Sequence, residues 1–170
     1  MRAARLNLET SEFALKHVPI PDPEPGWVRV KVKSCGVCLT DLHMLSGDLR
    51  GRHRQTGELT LGHEIAGQID LLGEGVAGWA PGERVAVSLL HYKNGAEHTI
   101  GVDFDGGWAD YVVTPASTLV RVPDSLSFEV ASIVPDAVST PWAAVTQTAE
   151  VKAGESVAVW GVGGVGSHAA

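Results

Sequence analysis

The chain is 170 residues long and 44% apolar, with 13 lysines and arginines against 20 acidic residues and a formal net charge of −7. That length suffices for one domain with a proper core and is short for two; no apolar run approaches the ~20 residues a bilayer crossing needs, and an acidic chain lacks the basic face of a nucleic-acid-binding protein. The one basic cluster, Arg50, Arg52, His53 and Arg54, reads as a solvated loop or as the entrance to an anionic substrate site.

From the N-terminus, two arginines are followed by Glu9 and Glu12 with no apolar stretch of signal-peptide length between them, which points to a cytoplasmic protein. Residues 3–33 read as strand, loop, strand. Pro19, Pro21, Pro23, Pro25 and Gly26 form the connector, and the alternation Val28-Arg29-Val30-Lys31-Val32-Lys33 marks a half-buried antiparallel strand. Cys35 and Cys38 follow, the only two cysteines, a usage that suits a reducing compartment. A Cys-x-x-Cys pair can be a redox couple, half of a structural zinc clamp or two small apolar side chains. The antiparallel pattern is the wrong setting for a redox couple, and a closed clamp needs four ligands. One thiol with the imidazole of His63, in the stretch Gly62-His63-Glu64, is the start of an open catalytic zinc site. Cys38 and His63 are its first two candidate ligands.

Thr40 to Gly47 reads as a short helix with Thr40 or Asp41 as N-cap and Leu42 and Leu45 on one face. His43 then lies on the side of the Cys38 loop, or is simply a surface histidine. Arg50 to Leu59 is polar and irregular. A strand opens at Leu61, and residues 65–87 continue as short strands with turns at Gly73-Glu74-Gly75 and Ala80-Pro81-Gly82-Glu83, the spacing of a β-barrel or sandwich. Leu89 to Phe104 is a loop carrying His91, Glu97 and His98. Strands return at Gly106–Val113 and Leu119–Pro123. Ser127 to Val151 turns helical, with Ser127 as N-cap and interruptions near Pro135 and Pro141. Glu155–Trp160 is an apolar strand leading into Gly161-Val162-Gly163-Gly164-Val165-Gly166, a G-x-G-x-x-G turn in the strand-to-helix context of a dinucleotide site. Its glycines let the backbone approach a pyrophosphate at a helix N-terminus.

Gly36-Val37-Cys38-x-Thr40-Asp41-x-His43, Gly62-His63-Glu64-x-x-Gly67, Pro81-Gly82-Glu83-Arg84-Val85 and Gly106-Gly107-x-Ala109-Asp110-Tyr111 occur in this order. Together they resemble the zinc-dependent alcohol dehydrogenases of the medium-chain dehydrogenase/reductase superfamily. The resemblance implies a mainly β fold: a GroES-like, partly open β-barrel with short helices over residues 1–126. Residues 127–170 then carry linking helices and the first strand and glycine-rich turn of a truncated Rossmann α/β domain. The chain would be a fragment, and a first strand without its sheet would be poorly ordered, domain-swapped or covered by a neighbouring chain.

The same resemblance places Asp136 in the seat of the family's third zinc ligand and Thr140 in that of a threonine near the nicotinamide. The other reading of Asp136 is a helix cap, with Glu64 or water as third ligand. It implies that Thr40 accepts the alcohol's proton and His43 passes it on. Asp41 would hold the far nitrogen of His63, or cap its helix, and Glu64 would lie beside the metal. Gly161, Gly163, Gly164, Val165 and Gly166 would bind NAD or NADP, a choice the sequence leaves open. Where relatives hold a second, structural zinc on four cysteines, His91, Glu97, His98, Asp103 and Asp105 are present without cysteine, so one catalytic zinc and no structural zinc are expected. The implied activity is interconversion of an alcohol and its aldehyde or ketone, by a homo-oligomer in full-length form. The alternatives are a zinc-free quinone or enoyl reductase and a non-enzymatic zinc-binding barrel.

Overall fold

A computed structural model of the chain describes residues 1–49, 56–93 (the side chain of Lys93 aside) and 95–170. The basic cluster Arg50, Arg52, His53 and Arg54 lies outside the described residues.

The alternation read at residues 28–33 becomes β3 (Trp27–Cys35), the middle of the molecule. It pairs antiparallel with β5 (Ile65–Leu72) on one side and β9 (Tyr111–Pro115) on the other. With β6 (Arg84–Val87) and β10 (Leu119–Arg121) they form a five-stranded sheet in the order β10-β6-β5-β3-β9. Val28, Val30, Ile65, Ile69, Val85, Val87 and Val112 point to one side and pack with Ile100 and Leu119 as the principal core, the β-branched population such a pleated, buried face favours. The sheet stays open. Its edges are β10 and β9, so the barrel among the described residues is partial.

The first strand segment divides in two. Asn7 Oδ1 accepts from the amides of Glu9 and Thr10, both at 2.9 Å, and this side-chain-built turn folds β2 (Phe13–His17) back on β1 (Arg2–Asn7). The other edge of β1 takes β4 (Glu58–Thr60). Residues 89–104, read as a loop, hold a hairpin of β7 (Leu90–Lys93) and β8 (Ala96–Thr99) in which His91 lies opposite His98.

Helix α1 (Leu39–Ser46) starts one residue earlier than expected. Its N-cap is Cys38, and Asp41 at the third helical position accepts from the Cys38 amide (3.0 Å). The inward face carries Asp41 and Met44 with Leu45 partly buried, while Leu42 is 50% exposed. Leu42 and Leu45 therefore do not share the buried face. Helix α2 (Phe128–Ile133) starts on Ser127 as read, with Val130 N donating to Ser127 Oγ, and lays Ala131 on Ala66 and Ala86 of the sheet. It runs into a π-helical turn, Val134–Val138, whose following amide, at Ser139, reaches back five residues to Val134. Helix α3 (Ser139–Ala143) and a second π-helical turn (Ala144–Thr148) complete the interrupted helix.

Glu155–Trp160, read as a strand, pairs with no other strand among the described residues, and Trp160 is fully exposed. Its apolar side chains have no sheet to enter, so the ladder that would define it is missing. The glycine-rich turn ends in one 3₁₀ turn, Gly166–His168, in place of a full helix. No helix among the described residues is long and apolar enough to cross a membrane.

Candidate metal centre

Two backbone loops are brought together by a third. Gly106 N donates to Thr60 O, Gly107 N to Gly62 O and Trp108 N to Leu61 O, at 2.7–2.9 Å. The Trp108 indole N–H reaches Gly36 O at 3.0 Å. Gly62 adopts φ +91°, and a side-chain carbon there would run into the Trp108 indole and the Cys35 sulfur, so glycine is required twice over. Cys38 and His63 leave this clamp on adjacent loops. Asp136 enters from the other side on the π-helical turn after α2, an irregularity often found at functional sites.

The thiol of Cys38, a ring nitrogen of His63 and a carboxylate oxygen of Asp136 all lie within 4.8 Å of one another. His63 is 3% exposed. Its Nε2 is 3.2 Å from Asp136 Oδ2, and its Nδ1 faces Asp41 Oδ1 at 3.5 Å. Burial works against a charged imidazole, but the carboxylates of Asp136 and Asp41 outweigh it and push His63 up to about 11. The same pairing with His63, helped by the Thr140 hydroxyl donating to Oδ1 at 2.8 Å, holds Asp136 down at about 2 against the opposing effect of burial. The donor set fits zinc: one thiol, one imidazole and one carboxylate on three separate segments, with the imidazole's far nitrogen turned to a second carboxylate.

The geometry also separates the two thiols. Cys35 is packed beneath Gly62 and Gly107, and burial, with the negative charge of Asp41, raises its thiol well above the ordinary range. It is not in the cluster. Glu64 is buried beside it, with its carboxyl raised by burial and by Asp136 while the Ala137 amide bonds to it. Thr40 Oγ1 lies 3.6 Å from Cys38 Sγ. His43 stands apart from the cluster, its Nδ1 3.2 Å from Asp48 Oδ2 at the surface.

A cavity of ≈ 600 Å³ is lined by Cys38 and Asp136, by Glu64, Ile133 and Ala137, and by Gly161, Gly163, Gly164, Val165 and Gly166 of the glycine-rich turn. The turn read as a dinucleotide site and two of the three candidate ligands, Cys38 and Asp136, thus line one space. Trp142 is exposed and away from it, whereas Trp108 supports the loops from behind. Trp108's indole bond and the lining by Ile133, Ala137 and His168 had no sequence signal, because each depends on chain segments far apart in sequence.

Residues 24–124 match the family model described as the alcohol dehydrogenase GroES-like domain. The chain belongs to this family. Its curated relatives include an (R,R)-butanediol dehydrogenase of Bacillus subtilis (strain 168), 31% identical across 98% of this chain and 52% of that protein. An alcohol dehydrogenase of Geobacillus stearothermophilus is 34% identical with the same two coverages. Among solved structures, an acetophenone reductase from Geotrichum candidum in complex with NAD superposes with a TM-score of 0.87 at 28% identity, over 99% of this chain and 53% of the other. The chain spans about half the length of the curated relatives it matches. These neighbours place the GroES-like chain among the zinc-type alcohol dehydrogenases of the medium-chain dehydrogenase/reductase superfamily.

Proposed function

We propose that the chain carries the metal site of a zinc-dependent oxidoreductase that interconverts an alcohol and its aldehyde or ketone with NAD or NADP. The observation behind this is the convergence of Cys38, His63 and Asp136 on one point, the last two being 73 residues apart in sequence. Zinc held by these three would supply Lewis acidity toward an alcohol or carbonyl oxygen, and a nicotinamide nucleotide would accept or give the hydride.

The chain's own residues set the conditions. Asp41 faces the Nδ1 side of His63 at 3.5 Å and, with zinc bound, would favour the tautomer that presents Nε2 to the metal. Thr140 orients the Asp136 carboxylate. Thr40, next to the Cys38 thiol, has a hydroxyl that can both take and give a proton. His43 is the exit for that proton, and the Asp48 carboxylate orients its ring. Glu64 closes the wall behind the donors. The glycine-rich turn offers backbone, free of side chains, to a pyrophosphate across the cavity. In this reading residues 1–126 are the catalytic unit and residues 127–170 link it to a nucleotide-binding unit; the protein is cytoplasmic, homo-oligomeric in full-length form, and has a single zinc.

Metal analysis of the purified chain tests this. About one zinc per chain is expected, with most of it lost in Cys38→Ser and retained in Cys35→Ser. Equal losses from both variants, or no zinc in the parent, contradict the reading.

A further inference from the structure

β4 is an edge strand, with β1 on one side only. At Thr60, which is 1% exposed, the backbone N–H and C=O take partners from outside that pairing, as buried backbone groups on a sheet edge must. Residues 105–106 supply them. Asp105 Oδ1 accepts from Thr60 N at 2.8 Å, and Gly106 N donates to Thr60 O at 2.8 Å. Arg5 holds the carboxylate in turn. Its Nη1 donates to Asp105 Oδ1 at 2.6 Å and to Thr60 Oγ1 at 2.8 Å, and its Nη2 donates to the Glu58 carbonyl at 2.8 Å.

This brace stands directly ahead of His63. From Thr60 the chain runs through Leu61 and Gly62, whose carbonyls accept from Trp108 N and Gly107 N, and Gly106 lies so close that a side-chain carbon on it would fall 2.1 Å from the Gly62 carbonyl oxygen. Those contacts are backbone on backbone, and the Asp105 carboxylate is the side-chain contact at their upstream end. Without it the Thr60 N–H is buried with no acceptor, a costly state. The loop relieves that cost by shifting toward water, and His63 shifts with it. The Asp105 side chain is itself 54% exposed, so its ion pair with Arg5 adds little to stability as such. The consequence falls on where the loop sits.

We propose that Arg5 and Asp105 are positioning residues for the metal centre: together they fix Thr60, and so set where His63 presents its ring nitrogen to Cys38 and Asp136. The proposal rests on the metal reading of those three donors.

The 170-residue chain is titrated with cobalt(II), whose visible bands report both affinity and donor geometry. Asp105→Ala should weaken cobalt binding about five-fold, below the roughly ten-fold lower end for groups bonded directly to metal ligands, and should shift the bands. Asp105→Asn keeps an oxygen for the Thr60 N–H and should return the parent bands, with affinity within about two-fold of the parent. Arg5→Met should weaken binding, and combining it with Asp105→Ala should cost no more than the larger single loss, because both act through Thr60. Arg29 and Asp70 provide the control. Arg29 Nε donates to Asp70 Oδ2 at 2.6 Å, with no bond from Asp70 to residues 60–64 among the described residues, and Asp70→Ala should leave affinity and bands unchanged. Affinity and bands unaltered by Asp105→Ala, an asparagine no better than alanine, additive losses, or an equal loss from Asp70→Ala each overturn the proposal and leave the metal reading intact. A parent chain whose cobalt spectrum does not depend on Cys38 overturns both.

Discussion

Asp41 serves three neighbours with two oxygens: it accepts from the amides of Cys38 and Gly62, both at 3.0 Å, and faces His63 Nδ1. His63 is therefore flanked by carboxylates on both nitrogens, and the sign of its pH linkage follows. Its folded value of about 11 lies above the ordinary histidine value near 6.5. In metal-free protein that contribution to stability is complete below about pH 6.5 and is lost as pH rises toward 11. Asp136 acts at the other end: held down to about 2, it contributes above its ordinary value and the contribution is lost as pH falls through the acid range. Zinc reverses the first trend, because binding requires a neutral imidazole and a thiolate and so strengthens as pH rises. Thermal melts at about pH 6 and about pH 9 should show the EDTA-treated chain less stable at the higher pH and the zinc-induced rise in Tm larger there. Parallel changes with and without zinc would remove the His63–Asp136 pairing from the explanation. Trp108 is a second residue-scale case. Its indole N–H is a strut on the Gly36 carbonyl, two residues from Cys38. Trp108→Phe keeps a ring and removes the bond, and zinc affinity should fall about ten-fold, the lower end for outer partners of metal ligands, with Tm in EDTA little changed. A loss of Tm with unaltered zinc affinity would make Trp108 a packing residue only.

At the scale of elements, the metal loop from Leu61 to Glu64 is held by backbone bonds to residues 106–108, and Gly62 is its tightest point. Gly62→Ala should destabilise the chain by about 2 kcal/mol or more, combining positive-φ strain with a clash against the Trp108 indole. The check is a shift of the urea midpoint at constant slope, and a shift within about 0.5 kcal/mol would show that the loop relaxes freely. How far each element could be read depended on how local its cause is. β3 declared itself through Val28, Val30 and Val32 alternating with charge, and α2 through Ser127. The pairing of Cys38 with His63 was legible because thiol and imidazole are the chemistry of zinc, whereas placing Asp136 beside them needed the family resemblance. β2, the β7–β8 hairpin and the start of α1 were not legible. β2 exists because Asn7 folds the turn before it, and α1 begins at Cys38, a residue type with no capping preference, because Asp41 reaches back to its amide. The support from Trp108 spans 72 residues, a distance no local pattern carries.

At the scale of the whole molecule, two regions are built to different standards. The sheets and α2 share continuous cores, while Glu155–Trp160 makes no ladder and leaves Val157 and Trp160 exposed. A dinucleotide site depends on a strand held in a parallel sheet and on the N-terminus of a helix aimed at the pyrophosphate; here the strand is unpaired and the helix is a single turn. The metal centre does not depend on them, because its three donors come from the loop before α1, the loop before β5 and the turn after α2. Metal binding and turnover should therefore separate. The 170-residue chain is expected to take up zinc yet show no measurable oxidation of simple secondary alcohols with either NAD or NADP, and NAD should leave its Tm unchanged at concentrations where zinc raises it. Robust turnover by the isolated chain would mean that the glycine-rich turn is organised well enough to present the nicotinamide over Cys38 and Asp136 without a paired strand beneath it. A zinc-independent rise in Tm on adding NAD would point to the turn, since Gly161, Gly163, Gly164, Val165 and Gly166 line the cavity without contributing a metal donor.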